Sequence, residues 1–127
     1  MARVLRSAPY FPVADVAATA SYYRDVLGFA TTYSAGEPAE FAMCERDGFA
    51  IMLRRVAAAD RIVPSESQGG TWDAFLWVDD ANGLHEELVG RGATVVYGPI
   101  VQPSYHMLEL AVRDRDGHVL GFGQAMA

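Results

Sequence analysis

The chain has 127 residues, 51% of them hydrophobic and 20% charged, with a formal net charge of −6. That length suits one domain, and the composition supports a packed core rather than a disordered chain. The acidic balance argues against nucleic acid, whose phosphates need a basic patch, and a single cysteine, Cys44, excludes an intrachain disulfide and a thiolate zinc cluster.

The N-terminal stretch MARVLRSAPYFPVADVAA is broken by Pro9, Pro12 and Asp15, so it lacks the apolar core of a signal peptide. No apolar run approaches the length of a membrane span. The expectation is a soluble, cytoplasmic protein with no membrane partner. Residues 10–13 alternate as a strand. Asp15 is placed to cap a helix whose apolar positions Val16, Ala20, Tyr23 and Leu27 follow helical spacing, and Gly28 to end it. ATTYS reads as a weaker strand, and EFAMCERDGFAIML as two strands about an Asp-Gly turn. Residues 57–70, AAADRIVPSESQGG, suit a mobile connector. Residues 73–78 then read as a strand and Asp80 as a second cap. Leu84 and Leu88 form a buried stripe, and Gly90 or Gly92 ends the helix. TVVYG is a weak strand, GPIVQPS a loop with His106 at its end, and ELAVRDRDGHVLGF a second hairpin.

The chain therefore repeats itself. Val13 and Asp15 recur 65 residues on as Val78 and Asp80, and the turn glycine Gly48 recurs 69 residues on as Gly117. Each half reads strand, helix, three strands. Neither half is long enough to bury its sheet alone, so 1–127 is expected to form one domain. Module one covers about 1–56, the connector 57–70, and module two 71–127.

Paired βαβββ modules, the helix sequence YYRDVLGF and the final DRDGH hairpin resemble the vicinal oxygen chelate superfamily. That group includes glyoxalase I, extradiol dioxygenases, fosfomycin-resistance enzymes and bleomycin-resistance proteins. The resemblance implies an α+β fold: two pseudo-symmetric modules forming a curved, half-open mixed sheet with helices on its convex face. It also implies four metal-ligand positions on the concave face, which here are Ala8, Met52, Asp73 and Gly121. A divalent ion needs converging nitrogen or oxygen donors, and only Asp73 supplies one. Of the histidines, His85 falls in a helix, His106 ends a loop, and His118 points away from the face of Gly121. The expectation is no bound metal and no cofactor.

Strand alternation assigns the faces. Tyr10, Met52, Asp73, Phe75, Trp77 and Gly121 fall on the concave side, while Trp72, Ala74, Leu76 and Val78 pack under the helices. Gly121 leaves space where a ligating glutamate would stand. A three-residue turn including Arg115 puts Ala111 opposite Gly121 and Val112 opposite Leu120. The same reading applied to module one joins Phe41 and Met43 to Ile51 and Leu53. Glu40 and Glu109 then face the cavity with Met107, Arg113 and Arg54.

Two functions compete. One is a metal-independent small-molecule binding protein resembling the bleomycin-resistance branch, acting by sequestration as a homodimer. Its ligand is bulky, the acidic balance favours a cation, and Trp77 and Phe75 offer stacking surfaces. The expected ligand-binding set is Tyr10, Met52, Asp73, Phe75, Trp77, Glu109 and Gly121. The other is a glyoxalase- or dioxygenase-type lyase or isomerase, whose acid–base work would fall to Glu109 or Asp73 with Tyr10. No catalytic residue is assigned. Fold likeness alone supplies no reaction.

Overall fold

Both halves fold in the order in which the sequence repeats. The computed structural model describes Met1–Ala127 as two units, Met1–Ile62 and Val63–Ala127. The first contains strand β1 (Tyr10–Val13), helix α1 (Val16–Tyr22), and strands β2 (Ala30–Ala35), β3 (Phe41–Arg46) and β4 (Phe49–Arg55). The second contains β5 (Ala74–Trp77), α2 (Ala81–Gly90), β6 (Thr94–Gln102), β7 (Met107–Arg113) and β8 (Val119–Ala125). Each unit is an α+β module with its own four-stranded mixed sheet, ordered β1-β4-β3-β2 in one and β5-β8-β7-β6 in the other. In each, the first strand runs parallel to the last and the remaining pairs are antiparallel.

The helices start where aspartates cap them. The Asp15 carboxylate accepts from the Ala18 N–H at 3.0 Å, and that of Asp80 from the Gly83 N–H at 3.0 Å. Such caps contribute about 1 kcal/mol each. A Cβ at Gly83 would crowd the Asp80 carboxylate, so glycine leaves the cap undisturbed. α1 widens into a π-turn over Tyr23–Leu27 and stops at Gly28, whose φ of 77° suits glycine. Val16, Ala20, Tyr23 and Leu27, the predicted stripe, are all buried. In the second unit α2 packs on β6, β7 and β8, and Leu88, Leu110, Val112, Leu120 and Phe122 form the core.

The two hairpins differ by one turn residue, and the difference reverses a face. In the second unit the Asp114 N–H donates to the His118 carbonyl at 2.8 Å, leaving Arg115, Asp116 and Gly117 as the turn. Ala111 pairs with Gly121 and Val112 with Leu120, as the hydrophobic pattern predicts. In the first unit Arg46 pairs with Phe49. The turn is only Asp47-Gly48, with φ of 52° and 83°, the left-handed pair of a two-residue hairpin. The expected grouping of Phe41 and Met43 with Ile51 and Leu53 is therefore corrected. Leu53 pairs with Ala42 and Ile51 with Cys44, while Phe41 pairs with Arg54 and Met43 with Met52. Glu40 is exposed, precedes β3, and lies 3.6 Å from Arg55; it does not share the face of Phe41 and Met52. A slip of one residue moves every side chain to the other face.

Two further expectations change. The second half of the connector is folded as a turn over Ser65–Gln68. It is fastened to its unit by Glu66, which receives 2.7 and 2.9 Å bonds from Arg113. The segment GPIVQ is not a loop but the continuation of β6, which shifts register on either side of Tyr97. Gly98, at φ 86°, has no space for a Cβ against the Glu109 carbonyl and Leu110. Only glycine lets β6 lie that close to β7.

Candidate functional site

The second unit carries the most developed candidate site, on the face of its sheet that holds the odd-numbered residues of β7 and β8. Pairing puts Tyr97, Ala111, Gly121 and Phe75 in one row across the four strands, and Ile100, Glu109, Gly123 and Trp77 in the next. The first row is large at its edges and small within it, and in the second Gly123 lies between Glu109 and Trp77. The small residues make a floor on which aromatic rings lie. Phe75 contacts Trp72 at 4.8 Å between ring centroids and Trp77 at 5.0 Å, both edge-to-face, a favourable aromatic geometry. Trp77 remains 73% exposed. With Tyr105 and Met107, the three rings bound a groove of about 420 Å3.

A second groove of about 310 Å3 adjoins it, bounded by Trp72, Tyr97, Ile100, Gln102, Tyr105 and Glu109. Its polar centre is Glu109, only 1% exposed. The Tyr97 hydroxyl donates to Glu109 Oε2, and the Tyr105 hydroxyl to Oε1 at 2.7 Å. Trp72 Nε1–H donates to the Tyr97 oxygen at 2.8 Å. Burial, then the bond to Glu109, pushes the Tyr97 phenol far above its ordinary pKa. Tyr105 is raised as well, chiefly by its bond to Glu109. Both phenols are thus neutral donors at physiological pH. A buried carboxylate held by two phenols beside an aromatic wall can accept hydrogen bonds from a ligand and can complement positive charge.

The sequence-predicted residues fall into three groups. Phe75, Trp77 and Glu109 border the two grooves. Gly121 lies in the same rows, but the space above it is filled. A Cβ there would stand 2.5 Å from Trp72 Cδ1 and 2.8 Å from Phe75 Cδ2. The expectation that Gly121 opens room is corrected to one in which it seats an indole of the same chain. Asp73 spends its carboxylate on the backbone, Oδ1 accepting from Ser65 N–H at 2.9 Å and Oδ2 from Val119 N–H at 2.8 Å. His118 Nδ1 lies 3.9 Å from Asp73 Oδ2. Tyr10 and Met52 belong to the first unit, where they pair across β1 and β4. There Arg54 stacks over the Tyr10 ring at 5.4 Å, and Phe41 lies 6.3 Å from Tyr10 and 6.0 Å from Tyr33.

Trp72, Tyr97 and Tyr105 were not singled out by sequence. Trp72, expected under the helices, precedes β5, where strand alternation no longer applies. Tyr105 sits in the turn between β6 and β7. Tyr97 alone had a usable signal, since it lies within TVVYG, the segment that the sequence marks as a strand.

A family model for the Glyoxalase/Bleomycin resistance protein/Dioxygenase superfamily matches residues 5–122. The chain belongs to this superfamily. Among solved structures, TioX from Micromonospora sp. ML1 is similar at a TM-score of 0.76 and 19% identity, over 97% of this chain and 100% of that one. TnmS3, an antibiotic binding protein from Streptomyces sp. CB03234, gives 0.71 and 24%, over 98% of each chain. The bleomycin-binding protein of Streptomyces verticillus, complexed with copper(II)-bleomycin, gives 0.71 and 23%, over 100% of this chain and 99% of that one. At these identities the likeness establishes the fold. No curated protein sequence matches the chain.

Many members of the superfamily hold a metal, and the residues here do not fit one. Ala8, Met52 and Gly121 offer no nitrogen or oxygen side-chain donor. The remaining position, Asp73, is bound to two backbone amides. No group of three or more His, Cys, Asp or Glu side chains gathers in a way that could hold an ion.

Proposed function

We propose that this superfamily member is a metal-independent small-molecule binding protein that sequesters a bulky, flat ligand. The observation that carries this is the Phe75–Trp77 pair. An indole 73% exposed is braced edge-on by a second ring at 5.0 Å, beside a buried carboxylate. Large exposed aromatics on a rigid floor suit stacking. In this reading Phe75, Trp77 and Glu109 touch the ligand. Gly121 acts by seating Trp72, and Asp73 by fixing the backbone that frames the groove. Tyr10 and Met52 add an apolar surface in the first unit. The net charge of −6 and Glu109 favour a cationic ligand. That two relatives in fold are described as antibiotic-binding and bleomycin-binding proteins supports a binding role.

The protein acts as a two-fold homodimer in the cytoplasm. Tyr10, Tyr33 and Trp77 are each more than half exposed, and soluble proteins tend to cover such apolar surface. No helix is long and apolar enough to cross a membrane.

The test is a thermal-shift screen with flat cationic antibiotics, with and without divalent metals. A ligand at about 100-fold above its Kd should raise the Tm by on the order of 5–10 °C, and a chelator should leave that shift unchanged. A shift seen only with added metal would overturn the metal-independent reading.

A further inference from the structure

We infer that Tyr105 is a displaceable plug on the Glu109 carboxylate, and that the ligand is a flat aromatic carrying a cationic nitrogen donor, an ammonium or amidinium, that takes its place. The inference rests on the binding reading above and assigns the polar groove its ligand chemistry. Donor logic distinguishes the two phenols. The Trp72 indole N–H can only donate, so the Tyr97 oxygen accepts from it and the Tyr97 hydrogen goes to Glu109 Oε2. That phenol is fixed on both sides, on a strand. Tyr105 is 46% exposed, stands in the turn between β6 and β7, and meets Oε1 through one bond of 2.7 Å. One carboxylate oxygen is thus held and the other is capped by a ring that can leave.

Charge points the same way. Glu109 is buried with two neutral phenols and no cationic side chain bonded to it. An ionised carboxylate without a counter-charge is costly to bury, and a ligand cation at Oε1 would relieve that cost. The grooves give the ligand its shape. Trp72 and Tyr105 border both of them. Movement of the Tyr105 ring joins the two spaces and bares Oε1, so an aromatic plane lying on Phe75 and Trp77 can direct a cationic nitrogen to Glu109.

Trp72 and Trp77 are the only tryptophans in the chain, so fluorescence quenching reads this site alone. The probes are 9-aminoacridine, a cation at neutral pH, and acridine-9-carboxylate, an anion on the same rings. The cation should bind at least about tenfold more tightly. Tyr105→Phe keeps the ring but removes the competing hydroxyl, and should tighten 9-aminoacridine by roughly threefold or more while leaving the carboxylate unchanged. Glu109→Gln should abolish the preference. Equal binding of both probes, or a Tyr105→Phe variant that holds the cation no more tightly than wild type, would overturn the inference while leaving the binding reading standing. If Glu109→Gln does not fold, the Tyr105→Phe comparison still decides. Binding of neither probe would overturn the inference together with the reading beneath it.

Discussion

Trp72 lies on Gly121. A Cβ at that glycine would come within 2.5 Å of the indole Cδ1, and the same indole donates to Tyr97, which in turn donates to Glu109. The glycine's backbone is not in the left-handed region. Its role is therefore to admit the ring, and through the ring it sets the polar groove.

Substituting this glycine should disturb the site before the fold. In Gly121→Ala the added methyl displaces Trp72 and breaks its bond to Tyr97. The expected cost is about 1–3 kcal/mol, typical of overpacking, together with red-shifted tryptophan emission. An unchanged melt with unchanged emission would show that the space above Gly121 is not filled.

Asp73 should behave as a structural staple. Asp73→Ala leaves the Ser65 and Val119 amides without their carboxylate acceptor, at an expected cost of about 1–3 kcal/mol. Divalent metals should not raise the melting temperature of wild type or variant, and dialysed wild type should hold no stoichiometric metal. About one zinc, iron or manganese per chain by elemental analysis would contradict this.

Alternation along residues 73–78 points Asp73 to the cavity and Trp72 to the core, yet Asp73 bonds two backbone amides and Trp72 lies on Gly121. The fold was legible because caps, turn glycines and apolar spacing repeat at nearly constant offsets, and each is a local signal. Faces on β7 and β8 were legible because Leu108, Leu110 and Val112 could be matched to Leu120 and Phe122. The first hairpin was misread since its register depends on whether Asp47-Gly48 closes the turn alone, and both turn lengths fit the same glycine. Trp72 and Tyr105 lie in loops, where no periodicity fixes direction. Tertiary packing on Gly121 and hydrogen bonding to Glu109 place them instead.

Alkaline pH should expose the Tyr97 network. Its phenol pKa is raised in the folded state, so the folded protein binds a proton that the unfolded chain releases above about pH 10. The stabilisation is fully present below that pH and falls as pH climbs toward the folded-state value. The ten Lys and Arg residues are all arginines, so no lysine titrates in this window. Tyr97→Phe should flatten part of the loss of stability above pH 10, and in a phenolate absorbance titration it should remove a tyrosine that resists ionisation. A slope unchanged by Tyr97→Phe would remove the network from the account.

Assembly is the next expectation. Light scattering at micromolar concentration should give a dimer mass, because the exposed aromatics of each unit are apolar surface that a monomer would leave in water. A monomer mass at that concentration would contradict it.

On the proposed function, the aromatic face of the second unit binds a small molecule without metal. Isothermal titration of the strongest ligand from the thermal screen, in chelator, measures this directly on wild type and on Trp77→Ala. Trp77 is mostly exposed, so its removal should change stability by no more than about 0.5 kcal/mol. The expected result is metal-free binding by wild type and a loss of at least about tenfold in affinity for the variant. Unchanged affinity in Trp77→Ala, or binding that vanishes in chelator, would contradict it.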